Sequence, residues 1–164
     1  MMSVELVDYE RWRAVNKSGF TLFDYLRAKQ MAGECSPDIL VSYSKLFFPE
    51  FVQIEEMIFL KEQFRQDNLD RLRSQGIFSS KMEYWMNLLA VGDLIPLVPD
   101  LFSEEILQKI KRCWEVSLND AFPEKTFEVR LVYDDGDTFL VFFQVKPQLS
   151  LDDGRVPATD GEGV

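Results

Sequence analysis

The clearest alternation of apolar and polar positions runs from Thr126 to Lys146, TFEVRLVYDDGDTFLVFFQVK. Two runs of β-branched and aromatic residues flank Asp135-Gly136. Asp-Gly between such runs predicts a two-residue hairpin turn, since both central positions need positive φ. The register follows: Asp134 faces Asp137, Tyr133 faces Thr138, Leu131 faces Leu140 and Val129 faces Phe142. One face then carries Phe127, Val129, Leu131, Tyr133, Leu140 and Phe142, a continuous apolar surface expected on the core. The other carries Glu128, Arg130, Val132, Phe139, Val141, Phe143 and Val145. A solvated face is polar throughout. Either another element covers this strand, or an exposed apolar strip binds a partner.

Upstream, the 3.6-residue period dominates. Residues 4 to 15 predict a helix with Val4, Val7 and Trp12 inward, though SVELV also suits a short edge strand. Thr21 with Asp24 predicts an N-cap. Leu22, Phe23, Leu26 and Met31 predict an amphipathic helix ended by Gly33. Ser36-Pro37-Asp38 opens the next helix, with Ile39, Leu40, Tyr43, Leu46 and Phe47 at helical spacing and Pro49 as the stop. FVQIEEMIFLK suits a helix through Ile54, Met57, Ile58 and Lys61, but its β-branched and aromatic content reads as two strands, 51 to 55 and 57 to 61, turning near Glu55-Glu56. This hairpin is expected to join the C-terminal one in a four-stranded antiparallel sheet.

Arg65 to Gln75 predicts an exposed helix with Leu69 and Leu72 inward and Gly76 as the stop. Its Arg65, Arg71 and Arg73, mixed with Asp67 and Asp70, read as a solvated face of ion pairs rather than an anion site. Ser80-Lys81-Met82-Glu83 has the spacing of a capping box. Tyr84, Trp85, Met86, Leu88 and Leu89 follow, predicting a central, heavily buried helix ended by Gly92. Asp93 to Phe102 is a proline-broken connection. Ser103-Glu104-Glu105 opens a strong amphipathic helix to about Asn119. Ile106, Leu107, Ile110, Cys113, Trp114 and Leu118 point inward there, and Lys109, Lys111 and Arg112 point to solvent. The fold expected is α+β: an antiparallel sheet of about four strands packed with five to six helices. Residues 1–146 form one globular domain, and 147–164 form an acidic tail expected to be disordered.

Composition narrows the function. The 164 residues are 46% hydrophobic, with 14 Phe, which suits a sizeable core. No apolar run reaches the ~20 residues that cross a bilayer, and the N-terminus lacks the features of a secretory signal. A cytoplasmic location is therefore expected. The formal net charge is −10. The tail accounts for four acids and one base, so the body is acidic as well. Nucleic acid and anionic membranes are disfavoured as partners, and a basic protein is favoured.

The chain has no histidine. That excludes a Ser-His-Asp triad, a Cys-His pair, HExxH and every zinc site containing histidine. Two cysteines, Cys35 and Cys113, are too few for a disulfide scaffold. Cys35 lies just before a helix start, where a thiol can be activated, but no histidine is available as its base. Asp134, Asp135 and Asp137 do not have calcium-loop spacing and read as a solvated turn. Glu55, Glu56, Glu62 and Glu83 are carboxylates that a histidine-free enzyme would draw on. No cofactor, metal motif or catalytic residue is indicated.

Three classes of function remain. The first is a non-enzymatic interaction module, an inhibitor, immunity or regulatory protein that meets a basic partner. Its contact would run through Arg130, Phe139, Val141 and Phe143. The second is a histidine-free carboxylate or metal-dependent enzyme. The third is a structural subunit that forms a homo-oligomer through the sheet.

Overall fold

The computed structural model describes residues 7–16, 19–95 and 102–145, save the side chains of Val7, Ser80, Phe102 and Ser103. The chain is α+β, as expected. Among the described residues the order is α1 (Val7–Asn16), α2 (Leu22–Met31), α3 (Pro37–Phe47), β1 (Phe51–Ile54), β2 (Met57–Leu60), α4 (Gln66–Ser74), α5 (Ser79–Met86), β3 (Leu89–Ala90), a single 3-10 turn at Val91–Asp93, α6 (Phe102–Ala121), β4 (Phe127–Asp134) and β5 (Asp137–Gln144). No helix among them is long and apolar enough to cross a membrane. Of the helix expected over residues 4 to 15, the part from Val7 onward is present as α1, while residues 4 to 6, most of the alternative SVELV strand and the acidic tail lie outside the described residues.

Both hairpins form where the sequence places them. β4 and β5 pair in the expected register, Asp134 opposite Asp137 through Phe127 opposite Gln144. Asp135 and Gly136 both take positive φ, 47° and 88°. β1 and β2 turn at Glu55-Glu56, with Ile54 opposite Met57. Here Glu55 is forced to φ 56°, a left-handed conformation that costs a side-chain-bearing residue about 1–2 kcal/mol. Its carboxylate reaches the Arg73 guanidinium at 2.9 Å.

The two hairpins do not pair with each other. They form a two-stranded sheet, β1-β2, and a three-stranded sheet, β3-β5-β4. α5 lies between them and supplies the missing bonds from its side chains. The Ile58 N–H donates to Glu83 Oε1 at 2.8 Å, and the Gln144 N–H donates to Glu83 Oε2 at 3.0 Å. One turn further on, the Leu60 N–H donates to Asn87 Oδ1 at 2.9 Å. Asn87 Nδ2 donates back to the carbonyls of Ile58, at 2.9 Å, and Phe142, at 3.3 Å. The Gln144 side chain adds a bond to Glu83 Oε1. Glu83 is 1% exposed and Asn87 0%. Residues four apart share one face of a helix, so this pair presents acceptors and donors in strand-like succession.

This arrangement overturns the expected capping box. α5 starts at Ser79, with Phe78 as its N-cap and no side-chain cap bond. Glu83 turns inward because two buried strand N–H groups need it, and an unmet buried N–H costs about 1–3 kcal/mol. α5 is also less apolar in its burial than its composition suggests. Met82, Glu83 and Asn87 are buried, whereas Trp85 is 57% exposed.

The main core lies between α6 and the apolar face of β4-β5. Leu107, Ile110, Trp114 and Leu118 meet Val129, Leu140 and Phe142, with Ile58, Leu60 and Val91 completing the cluster. Cys113, expected in this core, is only half-buried. Lys109, Lys111 and Arg112 pair with Glu105 or Glu115, a solvated face as expected. A second cluster, Met57, Phe59, Leu69 and Met82, fills the space under α4.

α1 and α2 form a hairpin with its own aromatic box. Tyr9 and Trp12 stack on Phe20, and both meet Tyr25 edge-on. The Lys29 ammonium sits over the Trp12 and Tyr25 rings and pairs with Asp8 and Glu34, both at 2.9 Å. The Thr21–Asp24 capping box is present, and Gly33 follows α2 with φ 73°. Yet α2 buries no residue. Leu22, Phe23, Leu26 and Met31, expected inward, are exposed.

Two predictions follow from these bonds. Glu83→Gln replaces one acceptor with a donor that faces strand N–H groups. It is expected to destabilise the fold by about 1–3 kcal/mol in chemical denaturation, and Glu83→Ala by at least as much. Stability unchanged in both would contradict the bridge. At α1–α2, the Tyr25 hydroxyl, and then Lys29, hold the Asp8 carboxyl below its ordinary 3.8. A depressed carboxyl stabilises the fold above that value, and the contribution is lost as pH falls through the folded pKa. The Trp12 indole resonance is therefore expected to shift below pH 3.8 while that of buried Trp114 holds. A Trp12 signal indifferent to acid would contradict it.

Candidate functional site

The four residues expected to meet a partner do not form one surface. Val141 is fully buried, because α5 and the 91–93 turn pack against β5. It is therefore removed from the exposed strip. Phe139 is half-buried, opposite Ala90 of β3. Arg130 and Phe143 do lie together, the guanidinium 5.2 Å from the ring centre. Arg130 also pairs with Glu128, and Phe143 leans on Tyr84 at 5.8 Å. Another element thus covers much of this face, and what remains open is narrow.

A larger apolar surface lies on α3. Ser36 caps the helix by accepting from the Ile39 N–H at 3.2 Å, and Pro37 takes its first turn. One hydrogen bond ties the other end down: Trp114 Nε1 donates to the Leu46 carbonyl at 2.7 Å in the core. Leu46 is buried and Phe47 packs beside it. The remaining apolar residues point away. Ile39, Leu40, Val41 and Tyr43 are between 37% and 58% exposed. An amphipathic helix ordinarily turns its apolar side to the core; here only Leu46 is buried, while Ile39, Leu40, Val41 and Tyr43 stay partly exposed.

Beside α3 runs a groove in two parts. The first, about 290 Å³, is lined by Ile39, Ser42, Tyr43, Leu46 and Leu94. The second, about 370 Å³, continues past Val41, Leu60, Leu89 and Trp114 to Glu62 and Gln63. Of the charges around it, Lys45 is already neutralised by Glu50, which also holds Lys61. Glu62, which lines the second part, is exposed and makes no ion pair among the described residues. The groove lining therefore carries one uncompensated acid.

Across Glu62 and Gln63 lies a third cleft of about 520 Å³, walled by α4 and α5. Arg65, Asn68, Arg71 and the exposed Trp85 line it. The ion-paired face expected of α4 holds only for Arg73, which reaches Glu55 and Asp70. Arg65 donates to the Phe64 carbonyl and Arg71 to Asn68, and neither meets a carboxylate.

Of the four carboxylates weighed for catalysis, Glu62 lines the two clefts and the other three are dispersed to other tasks. Glu55 pairs with Arg73, Glu56 with Lys125, and Glu83 bridges the sheets. Among the described residues no group of three or more acids and cysteines is placed to hold a metal, the Asp134–Asp137 turn included. Cys35 and Cys113 are both free thiols. Comparison with protein families, with curated proteins and with solved structures finds no match.

Trp114 decides how firmly α3 is held. Trp114→Phe leaves the Leu46 carbonyl without its donor and should cost about 1–3 kcal/mol. The α3 amides are expected to exchange faster in this variant, while those of β4 and β5 keep their order of protection. A variant as stable as wild type, with α3 unchanged, would contradict the anchoring role.

Proposed function

We propose that this protein is a non-enzymatic interaction module, acting in the cytoplasm as an inhibitor, immunity or regulatory protein. Its docking surface is α3 with the groove beside it. The observation that carries the reading is that Ile39, Leu40, Val41 and Tyr43 stand half-exposed on one helix next to an apolar groove. Large contiguous apolar surface is the signature of a partner site.

Magnitudes constrain the partner. Completing the burial of four half-exposed apolar side chains is worth about 3–6 kcal/mol. Association costs about 4–15 kcal/mol or more in lost freedom. The α3 surface alone does not suffice, and the partner must also fill the groove and match its charges. Glu62, unpaired among the described residues, with the net charge of −10, favours a partner carrying basic residues around an apolar anchor. Such charges speed association and make it salt-sensitive.

The test compares wild type with the Leu40→Lys/Val41→Lys variant as baits in native lysate. The expected result is one protein captured stoichiometrically by wild type. It is lost at high salt and lost with the variant, whose melting temperature is unchanged. Equal capture by both baits, or no stoichiometric protein with either, contradicts the proposal. A dimer of the chain itself that the variant abolishes would replace the basic partner with a second copy.

A further inference from the structure

We propose that the groove selects a partner segment in which apolar side chains are followed by an acidic side chain, whose carboxylate is held by Arg65 and Arg71. This inference rests on the docking surface just described and names what that surface reads. In this acid-rich chain most lysines and arginines already have a carboxylate within 4 Å. Arg65 and Arg71 do not, and they line the same cleft. Each spends a single N–H contact on a neutral neighbour, Arg71 at a long 3.4 Å. A guanidinium has five donors in a planar fork, and a carboxylate accepts two at once. Two such forks in one cleft suit an anion, and among the described residues neither is ion-paired with the cleft's own acid, Glu62.

The cleft is not isolated. Glu62 and Gln63 line both it and the apolar groove, one on each side of the same wall. A segment lying in the groove therefore meets the arginines by crossing this wall. Gln63 Oε1 is buried there without a donor, and an extended segment brings backbone N–H groups past it. Glu62 repels a carboxylate on the wall itself, so the acidic residue belongs beyond it, against α4. There Trp85 and Leu72 offer apolar contact to its neighbours. The carboxylate committed to here is an Asp or Glu side chain in mid-segment.

The test uses the full chain to select random 12-residue peptides displayed with no free C-terminus. Selected peptides are expected to combine apolar residues with one acidic residue at a fixed offset, and to lose binding with Leu40→Lys/Val41→Lys. Measured by fluorescence anisotropy, Arg65→Ala/Arg71→Ala is expected to weaken binding about tenfold at moderate salt. Changing the peptide's acid to its amide should weaken wild type by a similar factor and the double variant hardly at all. Arg71→Lys, which keeps the charge but not the fork, should fall between. Peptides that need α3 but show no acidic preference would overturn this inference and leave the docking surface standing. Peptides that bind irrespective of the α3 substitutions, or none at all, would overturn both.

Discussion

Backbone N–H and C=O groups at the edge of a strand must find partners wherever water is excluded. In this protein the inner edges of two separate hairpins do not pair with each other, and α5 joins them with side chains. Glu83 and Asn87, one helical turn apart, accept from Ile58, Leu60 and Gln144 and donate to Ile58 and Phe142. The bridge depends on residue chemistry as much as position. An ionised carboxylate is acceptor-only and suits converging N–H groups. A carboxamide both accepts and donates, and suits an edge that presents both. Because α5 is pinned along this face, Val141 is enclosed and Trp85 is turned outward.

That construction also explains where the free surface lies. The two sheets, α5 and α6 bury one another's main apolar faces, leaving isolated residues such as Trp85, Val116 and Tyr133 exposed. The N-terminal helices take a smaller share of the core. α3 contributes Leu46 and Phe47 and is tied by the Trp114 indole. α1 and α2 hold together around Lys29 and four rings. The apolar residues of α3 are left outward, beside a groove that carries Glu62 and adjoins a cleft carrying Arg65 and Arg71. A surface with both signs at separate places selects partners by orientation as well as by charge.

Both hairpins were legible in the sequence, because β-branched alternation and an Asp-Gly turn act locally. The caps at Thr21 and Ser36 were legible for the same reason. The inward turn of Glu83 was not. Polar residues on a short helix count as surface in any hydrophobic pattern, and Ser80 three residues earlier mimics a capping box. Nor could periodicity tell that α3 is apolar toward solvent, since the 3.6-residue repeat defines a face without saying what it meets. The α4 arginines looked neutralised by acids nearby in sequence, but only Arg73 has a carboxylate within reach. Of the expected contact residues, Arg130 and Phe143 do adjoin. Val141 does not join them, because what covers β5 comes from a distant part of the chain.

Amide hydrogen exchange at Ile58, Leu60 and Gln144 tests the bridge most directly. Their N–H groups bond to side chains instead of a strand ladder. If α5 is what joins the two hairpins, these three amides exchange only through global unfolding, as slowly as those of Arg130 and Val141, a hydrogen-bonded pair of the β4-β5 ladder. Exchange many times faster than those ladder amides, under conditions where the core stays protected, would show that the hairpins are not joined through Glu83 and Asn87.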